Sequence, residues 1–244
     1  MIRSYRISNI QQTSQPGGFW LVSATLAATP ETANIGALFH IKDHPEISLT
    51  LFQTHTDHLQ LLSQQSLPEG LLCSQTPVEL IQESDDTMPT DVFYHQSSVL
   101  LLGADLGIAP LLHIARQASN RATEVATMAL LQASENFPFM VKPARFMLGS
   151  MPAEAIGCCP LLEDWKIPNR LASISGLPGC FDGSLLELFG FWLEHESQQH
   201  HMQSNLQSEW QIVAFLDSEN LQACRNLSQA YDWIRLTGIE IPSR

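Results

Sequence analysis

Apolar and polar positions change rhythm along the chain. Up to about residue 95, short runs alternate between turn-forming residues: SYRISNI, GFWLVSATL after Pro16-Gly17-Gly18, IGALFHI, EISLTLF and EGLLCSQTPVELI. A period of two marks half-buried strands, because successive strand side chains point to opposite faces. Such runs in close succession predict a small antiparallel β-barrel or sandwich. One segment among them, TDHLQLLSQQSL, is read as a short helix capped by Thr56 or Asp57. The acidic, apolar-poor stretch ESDDTMPTD, residues 83–91, is read as a linker between a barrel unit over 1–92 and a second unit over 97–244.

From residue 97 onward, apolar runs alternate with helix-periodic segments. Strands are expected at 99–102, 125–131, 170–174 and 210–216, and helices at about 109–119, 183–195 and 218–234. That order predicts a Rossmann-like α/β domain, a parallel sheet covered on both faces with ligands at the carboxyl ends of its strands.

Composition narrows the function classes. At 244 residues with 44% hydrophobic content, the chain is long enough to bury the core of one large or two medium domains. Twelve basic against twenty-five acidic residues give a net charge of −13. With no basic face, neither nucleic acid nor a membrane surface is an expected partner. The opening MIRSYRISNIQQTSQPGG has no apolar leader region, and the longest apolar stretch, around 99–115, is broken by Asp105, Gly107 and Pro110; a soluble, cytoplasmic protein is expected. Cys73, Cys158, Cys159, Cys180 and Cys224 are odd in number and never spaced C-x-x-C, so they are read as small hydrophobes rather than as a disulfide framework or metal cradle. His40 with His44, His55 with His58, and the tract EHESQQHH at 194–201 have ligand-like spacings, but the tract equally suits a solvated helix end, and no metal is assigned.

The stretch SSVLLLGADLGIAPLLHIARQ, residues 97–117, carries the chemistry. Glycines let a backbone approach a diphosphate, and the first N–H groups of a helix point at it with about half a positive charge. Pro110 fits the first helical turn. A strand-to-helix turn that needs Gly107 only for packing is the alternative. The stretch resembles the loop G-G-G-x-G-[IV]-[AT]-P of the ferredoxin reductase superfamily, matched here by Gly103, Gly107, Ile108, Ala109 and Pro110. The likeness is nearest to the electron-transfer subunit of dihydroorotate dehydrogenase and to NADH-linked flavin reductases. ISGLPGCFDGSLLELFGFWL resembles that family's glycine-rich loop leading to a glycine before a helix, here Gly183, and WQIVAFLDSENLQACRNLSQA resembles its last βα unit. The resemblance implies NADH held by Gly103, Ala104, Asp105, Gly107, Ile108, Ala109, Pro110, Ser175, Gly176, Phe215 and Asp217, with hydride passing to a flavin between the domains. It assigns no catalytic residue.

Departures from the family pattern are as informative as the matches. Asp105 replaces the third glycine, and a carboxylate about 4 Å from a phosphate is opposed by roughly 4 kcal/mol at an effective dielectric near 20. It must point away, or the dinucleotide is not there. Where the family writes C-G-P-x-x-M, this chain has Phe215-Leu216-Asp217, and Asp217 before Ser218, Glu219 and Asn220 reads as a helix cap. The family's barrel holds flavin through an R-x-[YF]-[ST] strand, yet between Arg6 and Arg116 there is no arginine and one lysine, Lys42, which counts against conventional FAD or FMN binding. An iron–sulfur cluster needs four close thiolates, and after Cys180 only Cys224 remains, so none is expected. The second strand, MALLQASENF, offers no arginine for a 2′-phosphate, so any dinucleotide is expected to be NADH, with Gln132 or Ser134 in reach of a ribose hydroxyl.

Two functions follow. One is a ferredoxin reductase-like oxidoreductase with weakened or altered cofactor use, serving a nucleotide cofactor or a protein redox partner. The other is a relative that keeps the two-domain scaffold, binds no redox cofactor and acts as a partner subunit. A homodimer is compatible with either.

Overall fold

The computed structural model describes residues 3–27, 36–74, 76–83, 98–120, 125–202 and 209–242. Beyond Glu83, the expected linker lies outside them. The first unit comprises β1 (Arg3–Ser14), β2 (Trp20–Leu26), β3 (Leu38–Ile41), β4 (His44–Thr54), β5 (His58–Ser63), a short α1 (Glu69–Leu72) and β6 (Val78–Gln82). Its six strands close into an antiparallel barrel in the order β1-β2-β5-β4-β3-β6. Alternation supplies the interior: Val22, Ala24, Leu49, Leu51, Leu59, Leu61, Phe39 and Leu80 all belong to one buried cluster. Closure leaves no strand edge unpaired.

Two expectations about this unit are corrected. The segment read as a capped helix is the strand β5, with Leu59 and Leu61 inward and His58 exposed, paired with β2 on one side and β4 on the other. A short apolar run fits either period, and two waiting ladders decide for the strand. The run EGLLCSQTPVELI is not one strand but α1 followed by β6; Pro68 stands at the N-cap of α1, and Pro77 precedes β6.

The second unit comprises β7 (Ser98–Ala104), α2 (Ile108–Ser119), β8 (Thr127–Ala133), β9 (Lys142–Pro143), β10 (Gly157–Cys158), α3 (Pro160–Asp164), β11 (Asn169–Ser173), β12 (Phe181–Asp182), α4 (Leu185–Met202), β13 (Trp210–Leu216), α5 (Ser218–Ser228) and β14 (Ile234–Glu240). Six strands form a sheet in the order β12-β11-β8-β7-β13-β14, every neighbouring pair parallel. Its faces are covered as the buried runs imply: Val99 and Leu101 meet α2, while Leu100 and Leu102 meet α4 and α5. The helix expected to reach residue 234 stops at Ser228, and the chain turns into β14 instead. Gly238 obscures that strand in the sequence; its missing side chain makes room for Leu221 of α5, whose Cδ1 would lie 2.2 Å from a Cβ there. Among the described residues, no helix is long and apolar enough to cross a membrane.

Candidate functional site

β7 and β13 are neighbours in the sheet, but the chain leaves β7 toward β8 and reaches β13 only after crossing back, so their carboxyl ends flank the switch-point crevice where α/β sheets bind ligands. The loop from Gly103 to Pro110, Phe215 and Asp217 all converge there, with Gly103 paired to Phe215 across the strands. Ser175 and Gly176 do not join them: they follow β11, which β8 separates from β7.

Asp105 keeps the loop's shape and changes its chemistry. Its φ of 49° is the left-handed conformation natural to glycine and tolerated by aspartate. Its carboxylate reaches across to the end of β8, accepting hydrogen bonds from the Ser134 backbone N–H at 2.9 Å and from the Ser134 Oγ at 2.5 Å. Gln132, the other expected ribose contact, accepts the Leu185 N–H at 2.6 Å and so serves the first turn of α4.

The matched glycines are required by packing. A Cβ at Gly107 would lie 2.2 Å from the Phe215 carbonyl oxygen, and one at Gly103 would lie 2.8 Å from Leu111 Cδ1. Ala104 closes β7, and Ile108, Ala109 and Pro110 are buried in the first turn of α2. Phe215 is fully buried, and the barrel's Gly36 lies so close that a Cβ there would meet its ring at 2.8 Å and Ile239 at 2.7 Å. Asp217 is the cap the sequence suggests: it is the N-cap of α5 and accepts from Asn220 N at 2.9 Å and Nδ2 at 2.6 Å. Ser175 Oγ donates to the Glu135 carbonyl at 3.0 Å, and Gly176 turns the loop at φ 69°.

Two residues unassigned in the sequence join the barrel to α2 and the turn before it. The buried Thr50 hydroxyl on β4 donates to the Leu106 carbonyl at 2.8 Å. His113 places Nδ1 3.0 Å from the Phe52 carbonyl and Nε2 3.0 Å from the Gln117 amide nitrogen. Burial pushes the imidazole pKa down, which suits a neutral ring donating from Nδ1. His113 is the one polar residue in IAPLLHIA, and Thr50 shares ISLTLF with Ser48; a polar residue inside an apolar run is the signal available in sequence.

Electrostatically the carboxyl edge of the sheet is acidic. Asp105, Glu135, Asp182, Asp217 and Glu240 stand at or just beyond the ends of β7, β8, β12, β13 and β14, and no lysine or arginine lies within two residues beyond any of the six strands. Elsewhere, His40, His44 and His58 each pair with a carboxylate, from Glu83, Glu46 and Asp57. Cys158, Cys159, Cys180 and Cys224 are buried free thiols; burial raises Cys159 to about 12 and the other three to about 11.

Solved structures share this architecture. A cytochrome P450 reductase from Amycolatopsis is 14% identical, with 98% of this chain and 70% of that one covered, at a TM-score of 0.63. The siderophore interacting protein from Acinetobacter baumannii is 13% identical, with 98% and 90% covered, at 0.58. A ferredoxin NADP+ reductase from Neisseria gonorrhoeae, solved with bound FAD and NADP, is 12% identical, with 97% and 98% covered, at 0.51. No family model and no curated protein matches the sequence. The chain therefore has the ferredoxin reductase-like fold, a barrel followed by a Rossmann-like sheet.

Proposed function

We propose that this protein is a partner or regulatory subunit built on the ferredoxin reductase fold, one that holds neither flavin nor dinucleotide in the manner of a reductase. The observation that carries this reading is the Asp105 carboxylate, fixed between the glycine loop and the end of β8 by both donors of Ser134. A diphosphate seated on that loop meets a fixed negative charge, with no lysine or arginine within two residues beyond the neighbouring strand ends to answer it. The flavin side supports the same reading. β4 carries no arginine, the Lys42 ammonium is 2.7 Å from Glu79, and both Thr50 and the Phe52 carbonyl are engaged with α2 or the turn before it. On this reading β4 and Lys42 offer none of the free charged donors that a flavin phosphate needs when out of water.

Two measurements test this on the intact protein. Purified protein is expected to be colourless, and millimolar NADH or FAD to leave its melting temperature unchanged; a yellow protein or a ligand-dependent rise overturns the reading. A second reading, an NADH-dependent reductase, is favoured by the glycine-like turn retained at Asp105. Under it, the parent protein itself is stabilised by NADH, whereas stabilisation that appears only in Asp105→Gly identifies repulsion by the Asp105 carboxylate as the obstacle.

A further inference from the structure

The parallel sheet ends differently on its two sides. β12 closes one side with two residues, Phe181–Asp182, too short to template another strand. β14 closes the other with seven, Ile234–Glu240, each paired with β13 in unbroken register. Natural sheet edges are commonly blunted by a bulge, a proline or a covering element. β14 has neither bulge nor proline, since Pro242 comes only after it, and among the described residues no strand lies on its far side.

That edge presents a definite set of donors and acceptors. The Trp210 N–H donates to the Trp233 carbonyl, and the Ile241 N–H to the Leu216 carbonyl. In the alternating ladder of a parallel pair, these two bonds turn the backbone groups of Arg235, Thr237 and Ile239 toward β13. The N–H and C=O groups of Leu236, Gly238 and Glu240 therefore point away from the sheet.

We propose that β14 pairs antiparallel with β14 of a second copy of this chain, about a two-fold axis at Thr237, joining the two sheets into one. In that register Leu236 lies opposite the partner's Gly238, so the residues that exchange hydrogen bonds also set a large side chain against none. Thr237 meets its own copy at the closer, non-hydrogen-bonded position, and the Ile234 carbonyl accepts from the partner's Glu240 N–H. Charge favours a second copy and fixes its direction. Arg235 stands near the amino end of the strand and Glu240 at its carboxyl end, so an antiparallel copy brings unlike charges together at both ends, whereas a parallel one sets like against like. The chain as a whole carries −13 and repels its copies, but IRLTGIE is neutral. This pairing leaves the crevice untouched, so its fate does not follow that of the functional reading above.

The test is the oligomeric state of the full chain. Sedimentation equilibrium at micromolar to submillimolar loading is expected to show monomer and dimer in exchange. Glu240→Pro removes an outward N–H and keeps every bond to β13, so the circular dichroism spectrum is expected to be unchanged. The same variant is expected to raise the dimer dissociation constant about tenfold or more, since one hydrogen bond is lost on each side of the axis. In a Cys73→Ser background, Thr237→Cys is expected to form a disulfide-linked dimer with oxidised glutathione, because opposed Cα atoms at such a position lie about 4.5 Å apart, within disulfide reach. Ser66→Cys, at an exposed position of the barrel, is the control expected to stay monomeric. A monomer at every concentration, a dimer indifferent to Glu240→Pro, or a Thr237→Cys chain that cross-links no more than the control overturns the proposal.

Discussion

Gly107 and Asp217 are residues whose roles rest on contacts that can be removed one at a time. Gly107 has an ordinary helical φ of −66°, so its need for glycine is steric: Phe215's carbonyl occupies the space of a Cβ. Gly107→Ala is expected to destabilise the protein by on the order of 1–3 kcal/mol, the usual cost of overpacking, read from urea unfolding midpoints. Asp217→Ala removes an N-cap and is expected to cost about 1 kcal/mol in the same assay, with Asp217→Ser recovering most of it. The Asp217 cap is legible in sequence because its partner, Asn220, is three residues away. For Asp105 the sequence shows only that a carboxylate stands where a glycine is usual; that Ser134 receives it depends on β8 lying beside β7, which no local pattern states.

At the scale of elements, the legible strands are those buried on both faces, such as β7 and β13, whose apolar runs need no partner to be recognised. β5 and β14 are harder to read because pairing partners far along the chain choose their conformation. The docking of α2 against β4 is equally silent in sequence, and it makes a pH prediction. Burial holds the His113 pKa below its ordinary 6.5, so the folded protein binds fewer protons there than the unfolded chain. Stability from this group is therefore complete above about pH 6.5 and is lost as the pH falls through that value toward the lowered one. Unfolding free energies measured at about pH 7.5 and about pH 5.5 are expected to show the loss. His113→Gln, which keeps one donor and one acceptor, is expected to reduce it, and an undiminished slope in that variant assigns the pH dependence to other groups.

For the whole molecule, the order of barrel and sheet is readable from the change of hydrophobic period near residue 97, but the way the two units meet is not. Phe19 and Leu62 of the barrel belong to the same buried cluster as Ile108, Leu111, Phe215 and Ile239 of the α/β unit. Domains joined by small polar interfaces move and unfold separately, whereas a shared apolar core couples them. A single calorimetric transition is therefore expected, with barrel and sheet probes losing structure at one midpoint. Gly36 offers the way to break the coupling. Its φ of 85° and its contact with Phe215 and Ile239 leave no room for a side chain, so Gly36→Val must push the barrel off the sheet or distort both. The variant is expected to melt in two steps, the barrel and the parallel sheet each keeping its own strands until its own midpoint. Two steps already in the parent protein would show that the cluster at Phe215 does not bind the units together, and the crevice would then be free to open.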